Sequence, residues 1–159
     1  MASILQSAGE RLELLRGARS VAVVGMSSTP SRASHFVATY LLGSTDYDVF
    51  FVKPRETEIL GLPVYPSLSE LPEAPDIVDV FRRTADLPAV VGDAIDAGAR
   101  SVWFQLGLEN DEAAAAAVDA GLDVVQNRCL KVEHARFRGG LHVAGFDTGV
   151  IDSRRTRLI

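Results

Sequence analysis

Cysteine is nearly missing from this chain: Cys129 stands alone among 159 residues. An internal disulfide is therefore excluded, as is any multi-cysteine metal site. Basic charge is also short. Sixteen Lys and Arg face 21 Asp and Glu, a net charge of -5. General nucleic-acid binding, which needs a basic face, is not expected. No apolar run approaches the ~20 residues that span a bilayer, so no membrane partner is expected either. The first ten residues lack the basic start and apolar core of a secretion signal. Together these absences lead to the expectation of a cytoplasmic protein, which the single cysteine suits.

What is present is an alternation of apolar strands with amphipathic helices. A helix is predicted over residues 5–16, then a strand over 20–24. A helix from Arg32 to Leu42 follows, with Phe36, Val37, Tyr40 and Leu41 as its buried stripe. Further strands are predicted at 48–52, 64–65, 77–81, 100–104 and 122–126. Helices are predicted over 87–97 and from Asn110 through Ala117 to Gly121, and Ser67-Leu68-Ser69-Glu70 reads as a capping box. Such an order makes parallel β-α-β units with right-handed crossovers. The fold class is α/β: a Rossmann-like, doubly wound parallel sheet in three α/β/α layers. One domain over 1–133, with 1–19 as an N-terminal helix packed on it, and a C-terminal tail over 134–159 are expected.

In such a sheet, ligands bind beyond the carboxyl ends of the strands. The first such end is the most informative stretch: Val21, Val23 and Val24 run into Gly25, then a Ser/Thr-rich turn, then Pro30 and Arg32. A helix N-terminus there presents free N–H groups to an anion. A dinucleotide loop would need two more glycines where Met26, Ser27, Ser28 and Thr29 stand. Hydroxyl donors from these residues and a bidentate Arg32 can compensate, although plain helix capping explains the serines equally. At the end of the second strand, an NAD site would place an acid. Here Lys53, Pro54 and Arg55 precede Glu56, a pattern suited to an extra ribose phosphate on NADP or coenzyme A. Two solvated cations are the simpler alternative.

These residues carry a family resemblance. Val24-Gly25-Met26-Ser27-Ser28, with Pro30, Arg32, Ser34 and Tyr40-Leu41, resembles the opening of the small single-domain CoA-binding proteins. That family is similar to the CoA-binding domain of the succinyl-CoA synthetase alpha subunit. The likeness continues through Val52-Lys53-Pro54, Glu58-Ile59-Leu60-Gly61, Tyr65-Pro66-Ser67-Leu68 and Asp79-Val80-Phe81-Arg82-Arg83. It closes with Trp103-Phe104-Gln105-Leu106-Gly107, Asn110-Asp111-Glu112-Ala113 and Val124-Val125-Gln126-Asn127-Arg128-Cys129. The resemblance implies that coenzyme A or an acyl-CoA lies across the carboxyl edge. Gly25, Met26, Ser27, Ser28 and Arg32 would face the phosphates. Lys53, Pro54 and Arg55 would lie by the adenosine, and Phe81, Arg82 and Gln105 would line the way to the pantetheine. Lys53-Pro54 departs from the family's frequent Asn-Pro, and Asn127-Arg128-Cys129 from its Asp-Arg-Cys.

No catalytic residue is assigned. His35 sits on a helix without a visible partner, and His134 and His142 lie in the tail, eight residues apart. Cys129 reads as a buried inert thiol in preference to a nucleophile or a mixed disulfide with CoA. No metal site is expected. A counterpart of the ligase domain with a phosphorylated histidine, which the synthetase uses, is not expected here. The reading is of a CoA-binding protein, non-catalytic alone, with a protein partner or a second copy as further partners. The alternatives are an NADP-linked oxidoreductase and a nucleotide-sensing interaction subunit docking through a basic tail, Arg136 to Ile159.

Overall fold

The computed structural model describes residues 1–138. A seven-stranded sheet forms the middle layer, and its strands are β1 (Ser20–Val24), β2 (Asp48–Val52), β3 (Glu58–Ile59), β4 (Leu62–Tyr65), β5 (Ile77–Val80), β6 (Ser101–Phe104) and β7 (Asp123–Val125). Their spatial order is β3-β4-β2-β1-β5-β6-β7, parallel throughout except for the β3–β4 pair. Five helices complete the described fold: α1 (Ala8–Gly17), α2 (Ala33–Ser44), α3 (Leu87–Asp96), α4 (Asp111–Asp119) and α5 (Leu130–Arg138).

Period-two alternation along the strands divides the core in two. Val21, Val23, Ile77, Trp103 and Val125 face α1, α2 and α5, while Ala22, Val24, Val78, Val80, Val102, Phe104 and Val124 face α3 and α4. The three-layer, doubly wound architecture is thus the one expected. Strand order reverses at β1, so the crevice opens between the carboxyl ends of β1 and β5.

Several local expectations are corrected. Helix α1 starts at Ala8, because Ile4 bridges Val124 and Leu5 N–H bonds Val124 O. Its start is set by a capping box, Ser7 with Glu10, whose Ser-x-x-Glu spacing is legible in the chain. The capping box expected at Ser67 does not form: Ser67 makes no cap bond to the 3-10 turn Leu68–Glu70, and its hydroxyl meets Ser69 Oγ at 2.9 Å. Phe36 is 58% exposed, not buried. The stripe of α2 runs through Ser34, Val37, Ala38, Leu41 and Ser44, and Phe36 falls about 100° off Val37 on the helix. The β3–β4 hairpin extends the edge beyond the strand expected at 64–65. Leu60 and Gly61 form its two-residue turn, both at positive φ (52° and 75°) as a type I′ turn demands.

The division expected at 133/134 falls inside α5. His134 is 2% exposed, its Nδ1 2.8 Å from Tyr40 Oη, with the Tyr47 ring edge-on nearby. Residues 139–159, with His142 and most of the proposed docking tail, lie outside the described residues.

Helices α1 and α5 are joined by a buried charge cluster. Arg11 Nε donates to Glu133 Oε2 at 3.0 Å, both side chains being almost wholly enclosed. Arg136 and Arg128 approach Oε1 at 3.7 and 3.9 Å. Removing one member of such a pair leaves a buried charge uncompensated. Glu133→Gln is therefore expected to cost about 3–5 kcal/mol. A urea titration would check this, and a loss under about 1 kcal/mol would show that the cluster is solvated.

Candidate functional site

Helix α2 begins next to β1 and ends the crevice on one side. No side chain caps it, so its N-terminal N–H groups point where an anion would be stabilised. The preceding turn is held from within: Ser27 N–H bonds the buried Ser34 Oγ at 3.0 Å, and Thr29 N–H bonds Ser27 Oγ at 3.1 Å. Gly25 sits at φ 86°, and an added Cβ would fall on the Phe81 carbonyl oxygen. That close approach is why the first turn keeps its one glycine.

A cavity of about 770 Å³ runs along this edge. Gly25, Ser27, Arg32, Lys53, Phe81, Arg82 and Gln105 line it. The other four residues singled out from the sequence do not. Met26 is fully buried in the core and can offer only its backbone. Ser28 is exposed, its hydroxyl 3.5 Å from Glu56 Oε1, and Pro54 and Arg55 face solvent. Glu56 also reaches back to Lys53, at 3.8 Å, so the acid beyond the cations shares their corner. Arg55 stands at φ 71°, which turns the chain away from the edge.

A profile of the CoA binding domain family matches residues 19–135. The chain belongs to that family. It is 37% identical over 129 residues to the uncharacterized protein YneT of Bacillus subtilis strain 168, spanning 81% of this chain and 95% of YneT. A hypothetical protein from Pyrococcus horikoshii OT3 shares the fold at TM-score 0.77 and 36% identity, over 86% of this chain and 96% of its own. A dinucleotide-forming acetyl-coenzyme A synthetase from Ca. Korarchaeum cryptofilum is similar at TM-score 0.64 and 25% identity. There the match covers 71% of this chain but 26% of the synthetase.

In this CoA-binding domain the far wall of the cavity holds Leu106, next to Gln105 at the β6 exit, and two groups that were not placed there from sequence, Leu108 and Cys129. Cys129 is brought in by its neighbours. Asn127, at φ 55°, accepts a bond from Gly107 N–H at 2.7 Å, and Trp103 Nε1–H donates to Arg128 O at 2.8 Å. The Asn127-Arg128-Cys129 turn thus ties the β7 exit to the β6 exit. Asn is among the few residues that tolerate a left-handed backbone, so this signal was legible. Cys129 is half-buried, and desolvation pushes its thiol up, against the backbone N–H of Val132.

Behind Gln105 lies Asp79, fully buried in β5. Gln105 Nε2 donates to its Oδ1, while Oδ2 has no partner among the described residues. Burial pushes this carboxyl up to about 8, opposed by the Gln105 bond. With Nε2 committed to Asp79, the amide of Gln105 is fixed on the cavity wall. Among the described residues no His/Cys/Asp/Glu cluster could hold a metal, and no helix is long and apolar enough to cross a membrane.

Proposed function

We propose that the protein binds coenzyme A or an acyl-CoA in this cavity, as a binding rather than a turnover protein. The observation that carries the reading is the cavity's polarity. Arg32, Lys53 and the uncapped end of α2 gather positive potential at one end. Beyond Arg82, the wall made by Phe81, Leu106 and Leu108 is apolar and carries the Gln105 amide. A ligand with phosphates at one end and a slender, amide-bearing arm at the other matches both. Arg32 and the α2 N-terminus would take the phosphates, Lys53 the 3′-phosphate, and the arm would pass Phe81 and Arg82 to Gln105.

An NADP-linked oxidoreductase fits less well. The Met26 side chain fills the core, and Ser34 already occupies the Ser27 N–H. The turn therefore lacks the bare backbone on which a dinucleotide pyrophosphate rests.

Calorimetric titration of the nucleotide-stripped protein with CoA, dephospho-CoA and NADPH tests the reading. CoA is expected to bind tightest. Lys53→Glu should weaken CoA by about tenfold or more while changing dephospho-CoA little, since a charge-assisted phosphate contact is worth about 1.5–3 kcal/mol. Equal losses for both would show that Lys53 does not read the 3′-phosphate. A preference for NADPH would overturn the CoA reading.

A further inference from the structure

Gln105 stands just past β6, two residues on from Trp103 and therefore on the same face of the sheet. It is only 6% exposed, yet it lines the cavity. Its amide has a donor end and an acceptor end, and the end engaged by the protein is lost to a ligand. Here the donor is engaged: Nε2 donates to Oδ1 of Asp79, which β5 places beside Trp103 in parallel register. Oε1 is left for the cavity. A ligand arm passing Phe81, Leu106 and Leu108 therefore meets an acceptor set in an apolar wall.

Asp79 decides which end of the amide is engaged. A carboxylate can only accept, so it holds Nε2 inward, as the structure shows. A carboxylic acid has an O–H to place, and the amide satisfies it by turning Oε1 inward and Nε2 to the cavity. On the flanking strands Asp79 lies beside Val23 of β1 and Trp103 of β6, neither of them charged. Burial and the Gln105 bond are the influences on its carboxyl. Cys129, ahead of α5, feels its charge, but burial raises that thiol, which keeps its proton up to pH 8. Arg32 before α2, Lys53 after β2 and Arg82 after β5 are the cations that share the cavity with Gln105.

We propose that Gln105 selects the ligand by accepting an N–H of its arm at Oε1, with Asp79 as the positioning residue that ionises when the ligand binds. This rests on the binding reading above, in which the amide-bearing arm of coenzyme A supplies the N–H. The carboxyl titrates near 8 in the free protein, so at neutral pH it carries its proton before binding. A ligand that needs Oε1 favours the ionised carboxyl. Binding therefore expels the Asp79 proton to solvent, and affinity rises with pH until about 8, where the carboxyl is already ionised.

Calorimetry of the full chain with CoA at pH 7.5, in two buffers of different ionisation enthalpy, counts that proton. The parent should release up to about half a proton more than Asp79→Asn, as expected for a carboxyl lowered by about one unit across that pH. The CoA affinity of the parent, divided by that of Asp79→Asn, should rise about two- to tenfold from pH 6 to pH 8, the worth of one hydrogen bond. The ligand's phosphate titrates at about pH 6, but against both proteins alike, so it cancels in the ratio. Adenosine 3′,5′-bisphosphate, which lacks the arm, should show neither the extra proton nor the slope. Gln105→Met keeps the bulk and loses the amide. It should weaken CoA by about threefold or more, abolish both effects and leave the bisphosphate unchanged. No proton difference, proton uptake or a flat ratio, with CoA still bound, would overturn the Gln105–Asp79 assignment and leave the binding reading standing. Absence of binding by both CoA and the bisphosphate would instead remove the binding reading, and this inference with it.

Discussion

Gly25→Ala is expected to destabilise the protein by about 3 kcal/mol and to abolish nucleotide binding in whatever folded fraction remains. The backbone there lies at φ 86°, in the left-handed region, which costs an L-residue about 1–2 kcal/mol. The new Cβ would also collide with the Phe81 carbonyl oxygen and come within 3.0 Å of its carbon and 3.1 Å of Arg82 Cδ. Two of these three atoms are backbone, so they yield only if β5 moves away from β1. That movement is opposed by Phe81 N–H bonding Val24 O at 2.8 Å, and Gly25 N–H bonding Val52 O of β2 at 3.0 Å holds Gly25 itself in place. Overpacking of this kind adds about 1–3 kcal/mol. Gly43→Ala is the matched control. It lies in α2 with nothing within 4 Å of its added Cβ, and alanine should stabilise that helix by up to about 1 kcal/mol. Thermal melts of the two variants would show opposite signs. A neutral Gly25→Ala would mean that the β1–β5 edge yields readily to an added methyl group.

Asp79→Asn should change the pH dependence of stability more than any other single substitution. The carboxyl titrates near 8 in the fold and near 3.8 in a free chain. Unfolding therefore releases a proton from Asp79 at any pH between about 4 and 8. Its folded pKa is raised, so its contribution is fully present below about 4 and is lost as pH rises toward 8, by up to about 1.4 kcal/mol for each pH unit. Asparagine keeps an oxygen for Gln105 and cannot ionise. The variant and the parent are expected to have similar midpoints at pH 4, with the variant more stable by a few kcal/mol at pH 8. Urea titrations at pH 4, 6 and 8 measure this. Parallel curves would show that Asp79 is ionised and paired in the native state.

The two substitutions act at positions of very different legibility. Gly25 follows a β-branched strand and precedes a helix, so its role was readable from local spacing. Asp79 stood in the sequence only as the first residue of the short motif Asp79-Val80-Phe81-Arg82-Arg83. Its partner, Gln105, is 26 residues away, and the two meet because β5 pairs with β6 in parallel register, Asp79 beside Trp103. Cys129 is a similar case. Its place on the cavity wall follows from bonds between the β6 and β7 exits, made by Asn127 and Trp103. A lone cysteine in a sequence carries none of that. Phe36 shows the opposite failure. Its hydrophobicity suggested the core, but one helical step separates it from the stripe that packs.

Alternation of strands and helices, the spacing of Gly25 and the Lys53-Pro54-Arg55 exit were determined by the sequence alone, because periodicity and turn chemistry act over a few residues. The family, too, was legible from short motifs spread over residues 20–133. The order β3-β4-β2-β1-β5-β6-β7 decided the rest. It set which of the eleven expected site residues share a cavity and buried the Asp79 carboxyl against Gln105. Those outcomes depend on contacts between strands distant in the chain, and such contacts exist only once the sheet has formed.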